Sequence, residues 1–384
     1  MRIVHVSPYF NFPDEGPVGG VPLYVYELSK TQVENGHKVT VYTSKGIQRK
    51  NSIGVPQETL VKKEGIEVHK FSSFDNIRIS YLSPRLENPI PFPSFLSSLS
   101  KEHDIIHIHG HEYAISFISS LVAKRMKIPT ILSILNVGEA LEEFSAIHIL
   151  RKILDKTAFS FTVNSAKTVI APTEQALHLL KKFKPRKVSR IPAGIDLNRF
   201  KNLKNSEEYV LFLGRLEQTK RPEDFIKAIP LVLKKIDANF VVAGSGNQFE
   251  YLKNLVSKLK IFKSVKFIGW VPYNKVPEII AKASVLVAPG YAGYSIMEAA
   301  AAKKPIISGN IDCNIEFIGE KSALFVKPGD IEKLAEALVK VLTDHKLAEN
   351  IADKARRYIE KSASWNILAQ RIIDEYKEAL EHHQ

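Results

Sequence analysis

Cysteine is almost absent from this chain of 384 residues, in which Cys313 is the only one. A single thiol excludes an internal disulfide and any metal site built from several cysteines. We therefore expect Cys313 to be an unreactive small residue. Hydrophobic residues make up 45% of the chain, which with this length predicts a large apolar core divided between two domains of ordinary size.

Long apolar runs are also missing. No stretch approaches the roughly 20 consecutive apolar residues that span a bilayer. The first residues, MRIVHVSPYF, lack the apolar segment of a signal peptide. These patterns predict a cytoplasmic protein, either free in solution or at the inner face of the membrane.

Acidic residues are scarce relative to basic ones, with 41 against 54, which gives a net charge of +13. This excess favours an anionic partner such as a phosphorylated small molecule, a membrane surface or nucleic acid, although a solvated lysine-rich surface explains many of the charges. The densest cluster, KKFKPRK at 181–187, contains a single aromatic residue, so no nucleic-acid partner is expected. The basic and apolar segment 142–161 fits either an amphipathic helix packed on its domain or a peripheral membrane contact.

Short apolar runs alternate with helical patterns along nearly the whole chain, which predicts parallel α/β sheets. The pattern pauses at the polar stretch 191–209 and then resumes. We predict two doubly wound, Rossmann-like domains that face each other across a cleft, with ligands at the carboxyl ends of the strands. The predicted boundaries are 1–190, 191–365 and a C-terminal helix, 366–384, that packs back towards the first domain.

The stretch APGYAGYSIMEAAAAKKPIISG, 288–309, joins a glycine-spaced loop to an alanine-rich helix. Gly290 and Gly293 allow the backbone to approach a ligand, and a helix that starts near Ser295 adds partial positive charge, so the loop is a candidate phosphate site. Glu298 is the one acid in the predicted first turn. Ser295 and Glu298 also fit a capping box, which would serve only the free N–H groups of the helix.

Two further segments offer groups for a phosphate. Arg215 and Lys220, in FLGRLEQTKRPEDFIKA, could clamp a diphosphate, or they could be solvated loop charges, as could Arg221. Gly19 and Gly20 form either a second backbone cradle or a flexible turn. Neither they nor the GSG at 244–246 match the dinucleotide fingerprint GxGxxG.

Histidines cluster in HDIIHIHGHEY, at positions 103, 107, 109 and 111. In a strand, His107, His109 and His111 would share one face. A metal site is conceivable, but no second cluster of ligands accompanies it and no metal is expected. His109 or His111 could hydrogen-bond a substrate hydroxyl at the end of the strand, or could serve the structure alone.

In combination these segments resemble the retaining glycosyltransferases of family 4, which have the GT-B fold. The resemblance is strongest over about 188–345 and looser in the first half, through 19–44 and 103–111. It is carried, in the family's order, by IPAGIDLNRF, VLFLGRLEQTKRPEDFIKAI, VVAGSGNQFEYLKNL, VKFIGWVPYNKVPEII, ASVLVAPGYAGYSIMEAAAAKKPIISG and ALFVKPGDIEKLAEAL.

The resemblance implies a nucleotide-sugar donor, UDP- or GDP-linked, held mainly by the second domain, with the first domain on the acceptor side. Arg215 and Lys220 match the family's diphosphate-binding pair, and with His109 they are the predicted catalytic residues. Glu298 matches the glutamate that binds the donor's ribose. The other predicted donor-binding residues are Gly19, Gly20, Gly290, Gly293, Tyr294 and Ser295. No metal or cofactor is implied, because protein cations and helix dipoles neutralise the leaving diphosphate.

The implied function is a metal-independent, hexosyltransferase-like enzyme that moves a sugar with retention to a hydroxyl acceptor in glycan, glycolipid or polysaccharide synthesis. The acceptor would be lipid-linked or a growing glycan. Two alternatives stay open: a non-catalytic nucleotide-sugar-binding protein or partner subunit, and a nucleotide-sugar epimerase on the same fold.

Two positions depart from the family pattern. The family's first glutamate should lie eight positions before Glu298, where this chain has Gly290, and a histidine of the first domain is replaced by Leu135 or Asn136. The sugar end of the site has thus lost an anionic partner, for which backbone N–H groups, Tyr291, Tyr294 or Ser295 are candidate substitutes. The departure predicts an unusual donor sugar or impaired catalysis.

Overall fold

Two β-sheets organise the protein in a computed structural model, which describes residues 1–16, 19–44, 58–71, 73–74, 90–91, 93–99, 103–135, 155–204, 206 and 208–381. The chain divides into two compact units. Unit 1 contains Met1–Phe12, Val18–Pro192 and Asn366–Gln384, and unit 2 contains Pro13–Pro17 and Ala193–Trp365. Strands and helices alternate in both, so the predicted class of two doubly wound α/β domains is confirmed.

The described residues of unit 1 form ten strands. They are β1 Arg2–Ser7, β2 Lys38–Ser44, β3 Glu58–Lys63, β4 Ile66–Phe71, β5 Ser73–Phe74, β6 Ile90–Pro91, β7 Ile105–His109, β8 Thr130–Ser133, β9 Thr168–Ala171 and β10 Val188–Arg190. Eight of them form one sheet in the order β10-β9-β8-β7-β1-β2-β4-β3, and β5 pairs with β6 separately. Its helices are Gly20–Glu34, Pro93–Leu99, Ala114–Met126, Ser160–Ser165 and Glu174–Leu180, with a π-helical turn at Asp155–Phe159.

The edge strand β3 was not predicted from the sequence. It runs antiparallel to β4, so the sheet of unit 1 is mixed rather than purely parallel. The two strands are joined by Glu64 and Gly65, both with positive φ, 52° and 76°. Two left-handed residues in succession form the tight turn that joins antiparallel strands. A Cβ at Gly65 would meet Val33 Cγ1 at 2.5 Å, so this turn also requires glycine for packing.

Unit 2 has a six-stranded sheet in which every neighbouring pair is parallel. The strands are β11 Tyr209–Leu213, β12 Phe240–Ala243, β13 Val265–Gly269, β14 Ala283–Ala288, β15 Ile306–Gly309 and β16 Leu324–Val326, in the order β13-β12-β11-β14-β15-β16. The helices are Pro222–Leu233, Phe249–Lys258, Val276–Ala281, Tyr294–Ala301, Asp312–Ile318, Ile331–Thr343 and His345–Ser362, with 3₁₀ turns at Leu197–Phe200, Gln218–Lys220 and Tyr273–Lys275.

Both faces of the second sheet are buried. Val210 and Phe212 of β11 pack in one apolar cluster, whereas Leu211 between them packs in the other. Alternate residues of a strand point to opposite faces, so a run of apolar residues buries both faces under helices. The polar groups of this unit are thereby concentrated in the loops at the ends of its strands.

The last helix, Trp365–Glu381, follows unit 2 and contributes most of its length to unit 1. The apolar stripe read from its sequence is buried, with Trp365, Leu368, Ile372 and Tyr376 all at most 1% exposed. The domain boundaries drawn from sequence stay a prediction.

Candidate donor site

The loop after β14 and the 3₁₀ turn after β11 lie against each other, because β11 and β14 are neighbours in the parallel sheet. The N–H of Tyr291 donates to the carbonyl of Thr219 at 3.0 Å. The ammonium of Lys220 donates to the carbonyl of Ala292 at 3.2 Å and lies 4.5 Å from the centre of the Tyr291 ring. The structure thus places Lys220 at the 289–293 loop.

The helix Tyr294–Ala301 begins directly after this loop. Its N-cap is Gly293, with φ 67° and ψ −134°, a conformation open almost only to glycine. No described side chain caps this helix end, and its first turn contains no acid. The free N–H groups and the helix dipole therefore leave a positive end beside Lys220, which suits an anion.

The capping box predicted from Ser295 and Glu298 is wrong. The helix starts at Tyr294, so Glu298 lies beyond its first turn. The hydroxyl of Ser295 donates to the carbonyl of Ala292 at 3.3 Å, and Glu298 pairs with Arg199 instead. The capping box cannot form because Gly293, rather than a serine, occupies the N-cap position.

Gly290 marks the closest approach between the two segments. A Cβ built there would lie 2.3 Å from the carbonyl oxygen of Thr219 and 2.7 Å from the carbonyl carbon of Lys220. Both contacts are with backbone, which cannot rotate away as a side chain can. With the loops in this arrangement, any residue larger than glycine at 290 requires the backbone to move.

Asn314 holds the loop and was not recognised in the sequence. It is fully buried, and its Nδ2 donates to the carbonyls of Gly290 at 2.8 Å and Gly309 at 3.2 Å, and to Ser308 Oγ at 3.0 Å. Its Oδ1 accepts from the N–H of Ala292 at 2.9 Å. One asparagine in a short helix gives no sequence signal, because its role depends on the loops that fold around it.

Glu298 is buried, with only 6% of its surface exposed. Burial raises the pKa of its carboxyl, and the charge and hydrogen bond of Arg199 oppose that rise. Arg199 Nη1 lies 3.4 Å from Glu298 Oε1, Nη2 donates to the carbonyl of Tyr273 at 2.6 Å, and the guanidinium stacks 3.3 Å from the centre of the Tyr273 ring. Arg199 lies within the quoted segment IPAGIDLNRF, but its role becomes visible only through these contacts.

Of the other cations in this region, Arg215 is exposed and forms an ion pair with Glu217 at 2.6 Å. Burial, together with Cys313, raises the pKa of Tyr291 to about 12, and the charge of Arg215 opposes the rise. Arg221 forms two hydrogen bonds with Asp224, at 2.5 and 3.2 Å, and therefore serves the fold. Burial also raises the pKa of Cys313, which keeps it a protonated thiol.

In unit 1, Gly19 and Gly20 lie at the start of the helix Gly20–Glu34, which follows β1. Gly19 is the N-cap, in extended conformation, and the first turn contains no acid. A Cβ at Gly19 would come no closer than 3.9 Å to Pro22, and one at Gly20 would meet nothing within 4 Å. Both glycines are exposed at the start of this helix.

The histidines of unit 1 form a buried network that includes His5, which the sequence reading had not considered. His5 and His109 are fully buried on neighbouring strands, with His5 Nδ1 2.9 Å from His109 Nε2. His5 Nε2 lies 2.7 Å from the Oε1 of Gln32, so His5 donates from Nε2 and accepts at Nδ1 from His109. His109 Nδ1 is buried and has no partner among the described residues.

His107 extends this network to the last helix. Its Nδ1 accepts from the hydroxyl of Tyr376 at 2.6 Å, and its Nε2 lies 2.8 Å from Ser133 Oγ. The Tyr376 hydroxyl also accepts from Gln32 Nε2 at 3.1 Å. Burial lowers the pKa of His5 to about 4 and those of His107 and His109 well below their usual value, so all three are neutral at pH 7.

His111 does not share the strand face as predicted, because β7 ends at His109 and Gly110 turns the chain with a φ of 84°. The His111 ring lies instead between Phe159 and Phe183, at 5.6 and 5.9 Å between ring centres. One nitrogen from each of His5, His107 and His109 lies within 4.8 Å of the others, close enough to share a metal ion. The hydrogen bonds alone account for their arrangement.

Leu135 is half-buried, whereas Asn136 and most of the predicted membrane-contact segment, 142–154, lie outside the described residues. Across the part of the chain that the structure describes, no helix combines the length and the apolar character needed to cross a bilayer.

Comparisons with known proteins agree on one class. Residues 194–358 match the family described as glycosyl transferases group 1, and residues 18–199 match Glycosyltransferase Family 4. An uncharacterized glycosyltransferase of Methanocaldococcus jannaschii is 24% identical, with 95% of each chain covered. The GPI3 subunit of a phosphatidylinositol N-acetylglucosaminyltransferase of Saccharomyces cerevisiae is 22% identical, covering 94% of this chain and 80% of the relative.

The fold has solved counterparts. The crystal structure of Anabaena HepE in complex with UDP superposes with a TM-score of 0.73 at 16% identity, covering 98% of this chain and 100% of that one. Such a likeness shows the fold, which is that of the GT-B glycosyltransferases. The two family matches and the structural neighbours together support a glycosyltransferase of the family-4 type.

Proposed function

We propose that this chain, a glycosyltransferase of the family-4 type, transfers a sugar with retention of configuration from a nucleotide-diphosphate sugar to a hydroxyl acceptor. One observation carries the proposal: the ammonium of Lys220 lies at the loop that ends in Gly293, beside an uncapped helix end without an acid in its first turn. A cation and free N–H groups that converge on one point are what a diphosphate requires.

The donor's diphosphate would bind between Lys220 and the 290–293 loop, with Arg215 supplying a second charge. The buried carboxylate of Glu298, fixed by Arg199, would accept hydrogen bonds from the ribose. A UDP-sugar is the first candidate, since the structural neighbour HepE binds UDP, and a GDP-sugar is the second. His109, whose Nδ1 has a lone pair to offer, keeps the role predicted for it towards a substrate hydroxyl.

The reaction would break the bond between the sugar's anomeric carbon and the diphosphate oxygen, and form a bond from that carbon to the acceptor oxygen. The 289–293 loop offers no carboxylate as a nucleophile, so attack on the same face as the departing diphosphate is favoured over a glycosyl-enzyme. The acceptor's proton would pass to the leaving phosphate oxygen. Lys220 and Arg215 would stabilise the developing negative charge, so that no metal ion is required for this role.

The acceptor would be a glycan hydroxyl or a lipid-linked one at the cytoplasmic face of a membrane. The yeast relative acts on phosphatidylinositol, as its name states, which favours a lipid acceptor. The net charge of +13 would assist contact with an anionic surface.

The test is a screen of nucleoside diphosphates and their sugars for thermal stabilisation, followed by turnover of the best donor. A ligand that binds only the folded state stabilises it by about 2.7 kcal/mol at a hundredfold excess over its Kd. Nuclear magnetic resonance of the product before anomeric equilibration would show the same configuration as the donor. An inverted product would exclude same-face attack, and the absence of any stabilising donor would exclude the site.

A non-catalytic nucleotide-sugar binder is the second candidate, and the crowding at Gly290 favours it. A glutamate there would contact the backbone of Thr219 and Lys220, so the loops cannot simply regain the family's first carboxylate. In this case the donor would bind but no acceptor would be glycosylated. Gly290→Ala separates the two candidates, because it shifts the loop without adding a carboxylate. If the unchanged protein turns over and the variant does so more slowly, the loop belongs to an active site. If neither protein turns over and the variant only binds the donor more weakly, the protein is a non-catalytic binder.

A further inference from the structure

A pocket of about 480 Å³ opens in unit 1, lined by residues that do not belong to the candidate donor site. Residues 127–130 lead into β8, Lys167 immediately precedes β9, and Arg186 lies two residues before β10. These three strands are parallel neighbours, so their amino ends share one edge of the sheet. Ligands of doubly wound sheets bind at the opposite, carboxyl edge, so this pocket is a separate site.

Positive charge dominates the pocket. Five cationic side chains line it: Lys124, Lys127, Lys156, Lys167 and Arg186. None of the described residues that line it is an aspartate or a glutamate. Like charges around one concavity repel each other, and the chain's net charge of +13 adds to their potential. A bound anion would relieve this repulsion.

The remaining lining supplies donors and an apolar wall. Ser160 and Asn164 belong to the helix Ser160–Ser165, and Asn164 Nδ2 donates to Ser160 Oγ at 3.0 Å. Asn164 is held in place because its Oδ1 accepts from the N–H of Lys184 at 3.1 Å. Phe161 lies 5.2 Å from the ammonium of Lys124, a cation–π contact that holds this lysine at the pocket. Cations, hydroxyls and an amide side by side form a phosphate-binding set.

We propose that this pocket binds a phosphate group carried by a small organic group. Its volume falls within the range of about 300–1,000 Å³ typical of small-molecule sites, which is more than a lone phosphate needs. The aromatic ring together with Ile128 and Pro129 would contact the organic part. A sugar phosphate or glycerol phosphate in solution and the headgroup of an anionic phospholipid share this chemistry. The site does not depend on the sugar-transfer reaction.

The experiment compares two triple variants of equal charge in the full-length protein. Lys124→Gln, Lys156→Gln and Arg186→Gln remove three of the five positive charges that line the pocket. Lys181→Gln, Lys182→Gln and Lys184→Gln neutralise three exposed lysines that do not line it. Both are made in a Lys220→Ala background, so that phosphate binding at the candidate donor site does not contribute. Calorimetry with glycerol 3-phosphate and flotation with phosphatidylglycerol vesicles measure the two sources of phosphate.

We expect the pocket variant to weaken binding of at least one probe by about tenfold, since three charge contacts are lost, while the control variant changes little. A loss seen with glycerol 3-phosphate identifies a soluble ligand, and a loss seen only with vesicles identifies a lipid headgroup. Equal losses of binding in both triple variants would show that net charge alone causes the effect, and would overturn the proposal. Unchanged binding in the pocket variant would also overturn it. Circular dichroism of each variant verifies that it is folded.

Discussion

The two units differ in where their polar residues lie relative to the parallel strands. In unit 1, His5, His107 and His109 are fully buried. His5 is hydrogen-bonded to His109 and Gln32, and His107 to Tyr376 and Ser133. In unit 2, the interior of the sheet is apolar, and the polar groups gather in a loop where Lys220 meets an uncapped helix end.

The difference separates polar groups that stabilise the fold from those that we propose bind a ligand. A buried group that already has its hydrogen bonds gains little from a ligand, whereas free N–H groups and a cation at a helix end gain much. We therefore expect changes at His5, His107 and Tyr376 to alter stability and changes in the unit 2 loop to alter activity. His109 is set apart from these three, because its Nδ1 has no partner among the described residues and a substrate role is proposed for it. Four measurements test this division, from the largest expected effect to the smallest.

Lys220→Ala should reduce kcat about 10²–10³-fold, because it removes the cation that we propose stabilises charge in the transition state. The free energy of unfolding should change little, since Lys220 is only partly buried. The matched control is Lys333→Ala, which removes an exposed lysine that pairs with Glu336 on a helix of the same unit. Steady-state kinetics measure the effect, and equal kcat values for the two variants would remove Lys220 from the site.

Acidification should destabilise the network in unit 1. Because burial lowers the pKa of His5 from 6.5 to about 4, the folded state keeps it neutral while the unfolded chain takes up a proton below pH 6.5. The contribution of His5 to the free energy of unfolding is complete above pH 6.5 and is lost as the pH falls towards 4. The loss is about 3 kcal/mol, because the unfolded state binds one proton more than the folded state in this range. Urea unfolding at a series of pH values measures this slope, which His5→Gln should flatten. An unchanged slope in that variant would contradict the assignment.

Asn314→Ala should lower kcat/KM by roughly tenfold to a hundredfold, since the 289–293 loop loses the side chain that holds two of its backbone groups. Asn310→Ala, which changes an exposed asparagine four residues earlier, is the control. Donor binding should weaken, and the thermal midpoint without donor should also fall, since Gly309 and Ser308 lose the same buried partner. Full activity in the variant would show that the loop keeps its shape without this residue.

Tyr376→Phe should destabilise the protein by about 1–3 kcal/mol, because Gln32 and His107 each lose a hydrogen-bond partner in a buried place. Its kcat should stay near that of the unchanged protein. Tyr358→Phe, which loses one exposed hydrogen bond to the carbonyl of Glu316, provides the comparison and should cost less. A larger effect on kcat than on stability would mean that Tyr376 contributes to catalysis, and would contradict the difference that we draw between the two units.

Much of this arrangement could be predicted from the sequence. Alternation of apolar strands with amphipathic helices predicted both sheets, because burial on one or both faces leaves a periodic pattern along the chain. The glycine loop before the helix Tyr294–Ala301 was predicted as a phosphate site, and the structure brings Lys220 to it. The strand β3 was missed, since its charged residues conceal an edge strand paired through a tight turn.

The sequence by itself determined the α/β class, the alternation of elements and the position of the glycine loop, since these follow from local periodicity and from where glycine replaces a side chain. Only the tertiary structure decided that Glu298 pairs with Arg199, that Asn314 holds the loop, and that His5 joins His107 and His109. The physical reason is distance along the chain: these hydrogen-bonded partners lie 22 to 104 residues apart, and no local pattern encodes which side chains a sheet will bring into contact.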